Sequence, residues 1–186
     1  MSPWAFNRFS RAVSRGAVFA YPTDTIWGFG CHPLSWSGVS RILQIKHRPQ
    51  HKGLILLSSS IEYCRPYLDL STEAMTSIAQ PMATPTTWLV KASRNCPAWL
   101  CGSFSTIAIR ISHHPFIQQI CEQLESPVVS TSANRAGKST VRNTLQLQRQ
   151  FSSELDFIVH GFATGGYFQS EIRQLEDGKI TRNQGK

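Results

Sequence analysis

Three cations, Lys46, Arg48 and Lys52, fall within IKHRPQHKG with no acid among them. Such a run is either a solvated loop or a grip for phosphate. Arg48 precedes Pro49, which disfavours the helical region and predicts an extended backbone at Arg48. In an extended segment residues two apart share a side, so Lys46 and Arg48 would reach neighbouring phosphate oxygens together. A second group stands in VVSTSAN, where an apolar run leads into Ser130, Ser132 and Asn134. Sharing one side of an extended run, these offer short donors to a nucleotide or an amino acid; a turn followed by a helix cap is the competing reading. The third is Arg110 in TIAIRI, where Ile107, Ile109 and Ile111 take one face and Thr106, Ala108 and Arg110 the other. A strand arginine needs an anion, here a ligand carboxylate or an Asp or Glu from elsewhere in the chain.

Other patterns lead away from chemistry. AGKST suggests a phosphate loop, but the required spacing puts glycine at position 132, where Ser132 stands. His47 and His51, and the adjacent His113 and His114, have no carboxylate or thiol at ligand spacing, so no protein-built metal site is expected. Asp24 is the only acid near these groups, and either helps order magnesium on a triphosphate or forms a turn. Cys31, Cys64, Cys96, Cys101 and Cys121 contain no CxxC pair and leave one odd, which supports neither a zinc ribbon nor a disulfide framework and suits a reducing cytoplasm.

The elements that must position these groups follow from periodicity. MSPWAFNRFSRAVSRG is Arg-bearing, acid-free and amphipathic, as mitochondrial transit peptides are, but Ser2 as N-cap, Pro3 and the closing Gly16 favour a folded helix with Trp4, Phe9 and Val13 on one side. AVFAY predicts a strand, and PTDTIWGFGCHP a shaped loop after it. Ser35 caps a helix over WSGVSRILQI with Trp36, Val39, Ile42 and Leu43 on one face, so the basic stretch begins at a helix C-terminus. LILL from Leu54, TTWLV from Thr86, TIAIRI, PVVST from Pro127 and FIVH from Phe157 read as strands, with helices over STEAMTSIA, PFIQQICEQL and NTLQLQRQF between them. Interleaving of this kind predicts an α/β fold with a mixed, largely parallel twisted sheet and flanking helices, in a single domain over residues 1–186 whose polar tail frays from about Gly178.

Composition adds a bias in partners. Nineteen Lys plus Arg against 11 Asp plus Glu give a formal charge of +8, and no acid occurs between Asp24 and Glu62 or between Glu73 and Glu122. Unpaired cations of this kind attract polyanions, nucleotides and RNA among them. No apolar run approaches the roughly 20 residues that span a bilayer.

Taken together, AYPTDTIWGFGCHP, IKHRPQHKGLILL, TIAIRISHHP, VVSTSAN and TGGYFQSEIR resemble the YrdC family over nearly the whole chain, most closely its short bacterial form. The paired Lys-x-Arg and Ser-x-Asn signature is met by Lys46, Arg48, Ser132 and Asn134. The resemblance implies a YrdC-like sheet around a positively charged cleft. It also implies an enzyme that joins L-threonine, bicarbonate or CO2, and ATP into threonylcarbamoyl-adenylate and releases pyrophosphate. Magnesium would arrive on the nucleotide. Partner proteins would pass the threonylcarbamoyl group to tRNA beside the anticodon, with direct contact to tRNA or double-stranded RNA as a further expectation. It further implies catalytic roles for Lys46, Arg48, Ser132 and Asn134, ATP contacts for these four with Lys52, Thr106 and Thr140, and a threonine site of Thr25, Arg110 and Ser130. The chain departs from the family in ATPTT, Ala83–Thr87, where a glycine gives way to Thr84 and strain is expected, and at Gln174 after SEIR. An RNA-binding module without adenylating activity is the alternative from another class, and lacks the aromatic signatures of known RNA-binding folds. A third reading, carbamoyl transfer as in hydrogenase-maturation proteins, lacks their additional domains and cysteine motifs.

Overall fold

Ser2 accepts a hydrogen bond from the Ala5 N–H at 3.3 Å and Pro3 takes the first helical position, so the chain enters α1 (Pro3–Ser14) as its sequence predicts. The buried side of α1 is Phe6, Phe9 and Val13, which keep the i, i+3, i+7 spacing. Trp4 falls off that stripe and is 72% exposed, contrary to its expected place in the core. The computed structural model describes residues 1–161, 163 and 168–183. After α1 come β1 (Phe19–Tyr21), β2 (Gly28–Gly30), α2 (Trp36–Lys46), β3 (Ile55–Ser58), α3 (Ile61–Cys64), α4 (Thr72–Ala79), β4 (Thr86–Lys91) and α5 (Ala98–Cys101). They are followed by β5 (Thr106–Ile111), α6 (Pro115–Leu124), β6 (Val128–Ser132), α7 (Thr144–Phe151), β7 (Phe157–Ile158), β8 (Glu171–Gln174) and β9 (Ile180–Arg182).

The strands form one sheet in the order β7-β1-β2-β6-β3-β5-β4-β8-β9. It is mixed, as expected, but its balance tips towards antiparallel pairing: β1 with β7, β3 with β5 and β4 with β8 are parallel, and the other five contacts are antiparallel. The reason is topological, since β6 runs against both β2 and β3, and β4 runs against β5. β2 lies in the segment read as a loop. Its Gly30 lets the sheet close, because a Cβ there would stand 2.8 Å from the Phe19 ring and 3.0 Å from the Val129 carbonyl.

Strand alternation sorts the core into two clusters. Phe19, Tyr21, Leu57 and Val128 face α1 and α6, against Phe6, Phe9, Val13, Ile117 and Ile120. Their neighbours Ala20, Leu56 and Val129 belong to the larger cluster with α2, α4 and α7. Trp36, placed by periodicity on the buried face of α2, is instead 46% exposed and tilts against Trp99 with ring centroids 5.6 Å apart. The polar tail does not fray at Gly178: β9 pairs antiparallel with β8. Thr84 is not among the residues with positive φ, so ATPTT is built without the left-handed conformation that would have made threonine costly.

Candidate functional site

The face that α1 and α6 cover at Leu57 and Val128 is left uncovered further along the same strands. Ile55 and Ser130, paired across β3 and β6, point there into a cavity of about 480 Å³, as do Thr106, Ala108 and Arg110 from β5. The basic stretch reaches the cavity from the opposite rim. Lys46 is the last residue of α2, and His47 then takes the left-handed conformation, φ 50° and ψ 44°. The His47 N–H donates to the Gln44 carbonyl at 3.0 Å and the Arg48 N–H to the Leu43 carbonyl at 2.9 Å, which caps the helix. The segment is therefore a helix end and a turn rather than an extended run, yet Lys46, Arg48 and Lys52 all line the cavity.

The two halves of the paired signature touch. Lys46 Nζ donates to the Ser132 carbonyl, to the Asn134 carbonyl at 2.9 Å and to Asn134 Oδ1 at 3.0 Å. The Ser132 hydroxyl donates to Asn134 Oδ1 at 2.7 Å. The loop after β6 also satisfies carbonyls that the end of α2 leaves open: the Ala136 N–H donates to the Lys46 carbonyl at 2.7 Å, and Arg135 Nη1 to the Ile45 carbonyl at 2.8 Å. Lys46 is 4% exposed, and burial together with the neighbouring Arg48 guanidinium pulls its pKa down to about 7.

Three guanidinium groups meet in the cavity. Arg48 Nη2 donates to the Gly53 carbonyl at 3.0 Å, and burial lowers its pKa. Arg110 is clamped by the Asp24 carboxylate on Nη2 and by the Thr25 hydroxyl on Nη1 at 3.1 Å. The distant acid that pairs with Arg110 is thus Asp24, and the arginine also lines the cavity. Asp24 Oδ1 also accepts from the Ser112 hydroxyl at 3.0 Å, so the turn reading of this acid gives way to an anchoring one. Arg182, from the tail, donates to the Ser170 carbonyl at 2.9 Å, and its pKa is lowered by burial and by Arg110 and Arg48. Nε of each of the three arginines is buried, with no hydrogen-bond partner among the described residues.

Of the residues singled out in the sequence, Thr25, Lys46, Arg48, Lys52, Thr106, Arg110, Ser130, Ser132 and Asn134 all line the cavity, and Thr140 does not. Sequence reasoning missed Arg182 and Ser170. Ser170 is 3% exposed and its hydroxyl lies 2.7 Å from that of Thr87. The signal available was an arginine followed by polar residues in a segment read as tail. Thr164–Tyr167 of TGGYFQSEIR lie outside the described residues. Gln174 does not line the cavity, so that departure falls outside it. Among the described residues no group of three or more His, Cys, Asp or Glu is placed to hold a metal ion, and no helix is long and apolar enough to cross a membrane.

Among the described residues, a mixed nine-stranded sheet with a cavity on one face, lined by Lys46, Arg48, Arg110 and Arg182, defines an α/β protein. A family model, Sua5_yciO_yrdC, described as "Telomere recombination", matches residues 11–183, and the chain belongs to the Sua5/YciO/YrdC family. It is 36% identical to the threonylcarbamoyl-AMP synthase of Vibrio cholerae over 92% of this chain and 93% of that one. It is 38% identical to the same-named protein of Yersinia enterocolitica over 96% of this chain and 95% of that one. Among solved structures, P. abyssi Sua5 complexed with L-threonine matches with a TM-score of 0.89 at 24% identity, over 100% of this chain; the chain spans 55% of that protein. E. coli YciO matches with a TM-score of 0.83 at 21% identity, over 98% of this chain and 90% of that one.

Proposed function

We propose that this protein is a threonylcarbamoyl-AMP synthase, an adenylate-forming nucleotidyltransferase that uses L-threonine, bicarbonate or CO2, and ATP and releases pyrophosphate. The observation that carries the reading is the convergence of Lys46 with Arg48, Arg110 and Arg182 on one cavity. That charge suits a triphosphate and a carboxylate bound side by side, and the relatives' shared name supplies the reaction.

In this reading the carbamate oxygen of N-carboxylated threonine attacks the α-phosphate and pyrophosphate leaves. Catalysis is then positioning and charge neutralisation, with no side-chain nucleophile. Lys46, Arg48 and Lys52 take the phosphates, Ser132 and Asn134 the nucleotide, and Thr106 a weaker nucleotide contact. Thr140, outside the cavity lining, would act only through the loop that precedes it. Arg110, anchored by Asp24, faces the threonine carboxylate, with Thr25 and Ser130 beside it. Arg182 adds charge opposite Arg48. Magnesium arrives on the triphosphate. The setting is the reducing cytoplasm, and partner proteins carry the activated group to the tRNA adenosine beside the anticodon.

Protein incubated with ATP, bicarbonate, magnesium and threonine is expected to release pyrophosphate only when threonine is present. Folded protein that releases none would sink the proposal. Direct RNA contact has its own support: Trp4, Arg8, Arg11 and Arg15 follow one another along the exposed side of α1, with the Arg8 guanidinium 5.9 Å from the Trp4 ring centroid. None of these arginines has an ion-pair partner among the described residues. Phosphates on the arginines and a base on the tryptophan would use that face as it stands.

A further inference from the structure

Cys31, Cys64 and Cys121 are sealed in the core at 0% exposure. Cys101 is buried too, at 8% exposure, and Cys96 lies beside it nearer the surface. Cys96 is half-buried, and its Sγ lies 3.4 Å from Sγ of Cys101, which ends α5 and lines the cavity. We propose that Cys96 and Cys101 form an oxidisable dithiol whose conversion to a disulfide weakens nucleotide binding in the cavity.

The bond requires the sulfurs to close by about 1.3 Å, to the usual length near 2.05 Å. With a peroxide as oxidant, the Cys96 sulfur attacks one peroxide oxygen, giving a sulfenic acid and one water. The Cys101 sulfur then displaces the second oxygen as water and forms the disulfide. Two thiols lose two electrons and two protons, and the peroxide is reduced to two waters. Burial, and then the neighbouring Cys101, push the Cys96 thiol up to about 12, so little thiolate exists at neutral pH and the attack on peroxide is slow.

The movement has a path to the phosphate grip. The Leu100 carbonyl of α5 accepts from the Leu54 N–H at 2.8 Å, and the His51 carbonyl accepts from the Ser103 N–H at 3.0 Å. There is no slack between these segments: a Cβ on Gly53 would stand 2.8 Å from the Cys101 carbonyl oxygen, and Gly102 sits at φ +67° against the His51 backbone. The carbonyls of Lys52 and Gly53 in turn hold Arg48 Nη2, at 3.3 Å and 3.0 Å. Displacing α5 therefore displaces the supports of Arg48.

The nucleotide half of this inference rests on the ATP reading above, and the experiment separates the two. The full chain is treated with hydrogen peroxide, free thiols are alkylated, and peptides are mapped by mass spectrometry. ATP affinity is measured by calorimetry, and amide hydrogen exchange at Leu54 and Ser103 is followed. The expected result is a Cys96–Cys101 linkage, faster exchange at both amides, and ATP affinity reduced on the order of tenfold and restored by dithiothreitol. The Cys96→Ser variant should bind ATP normally and resist peroxide. Absence of the linkage, or a linkage that leaves exchange and affinity unchanged, overturns the inference. Protein that binds ATP in neither form overturns the proposed activity, and linkage and exchange then decide the dithiol alone.

Discussion

Lys46 and Arg48 share a motif and differ in physics. Lys46 is buried with a depressed pKa, so between about 7 and the ordinary lysine range the unfolded chain holds a proton that the native state has released. Native stability accordingly rises with pH through that window, and below about 7 the cost of the buried charge is carried in full. Nucleotide phosphates beside Lys46 would restore the proton, so ATP binding at pH 8 is expected to take up protons, read from the dependence of calorimetric heats on buffer ionisation. Proton release, or no exchange, would remove Lys46 from the phosphates. Arg48 contributes little to the fold, since Nη2 caps only two carbonyls and Nε is unpartnered. Arg48→Ala should weaken ATP binding by roughly 10- to 100-fold, the worth of a charge-assisted hydrogen bond, with the unfolding midpoint nearly unchanged. Arg110→Ala should behave differently, because it strips Asp24 of its partner: threonine use and stability should fall together, the latter by about 1–3 kcal/mol in chemical denaturation. These residues were legible because their chemistry is local in sequence; that Lys46 bonds directly to Ser132 and Asn134 was not, since no spacing rule joins positions so far apart.

Among the elements, the helices were the most legible. Ser2 and Ser35, read as caps in the sequence, each accept the N–H three residues on, and Ser71 and Asn143 do the same. Strands were legible only where apolar residues alternate or run together. GFG of β2 has two glycines, and ITR of β9 sits in polar sequence, so neither carries a strand signal, yet β2 lies between β1 and β6 and β9 delivers Arg182. Arg182→Ala should raise the KM for ATP by about tenfold while leaving the sheet intact by circular dichroism. The ATPTT loop offers a contrasting test. Because Thr84 is not at positive φ, Thr84→Gly should lower stability by roughly 0.5–1 kcal/mol and leave pyrophosphate formation unchanged. A gain in activity would show that the family's glycine is needed after all.

For the molecule as a whole, two groups of cations stand apart. One set lines the cavity, and another follows α1 beside a second hollow that Arg8, Arg11, Arg15 and Arg41 border. Replacing Arg8, Arg11 and Arg15 by Gln should reduce the salt slope of RNA binding by about 2–3 and leave threonine-dependent pyrophosphate release untouched. Loss of both together would put RNA in the cavity instead. Charge was legible from composition, but its partition was not, because partition depends on the strand order.

That strand order has a bearing on biosynthesis. The cavity is walled by Thr23 near the start of the chain and by Arg182 on β9, an edge strand whose sequence partner β8 is its sole neighbour in the sheet. A nascent chain can bury most of its core before β9 exists, but it has no complete pocket until then. Substrate therefore cannot rescue a half-made molecule; it acts late, as a clasp between early and late sequence. At a hundredfold excess over its Kd, nucleotide would add about 2.7 kcal/mol to the native state alone, and proteolysis in the turn at residues 175–179 should slow accordingly.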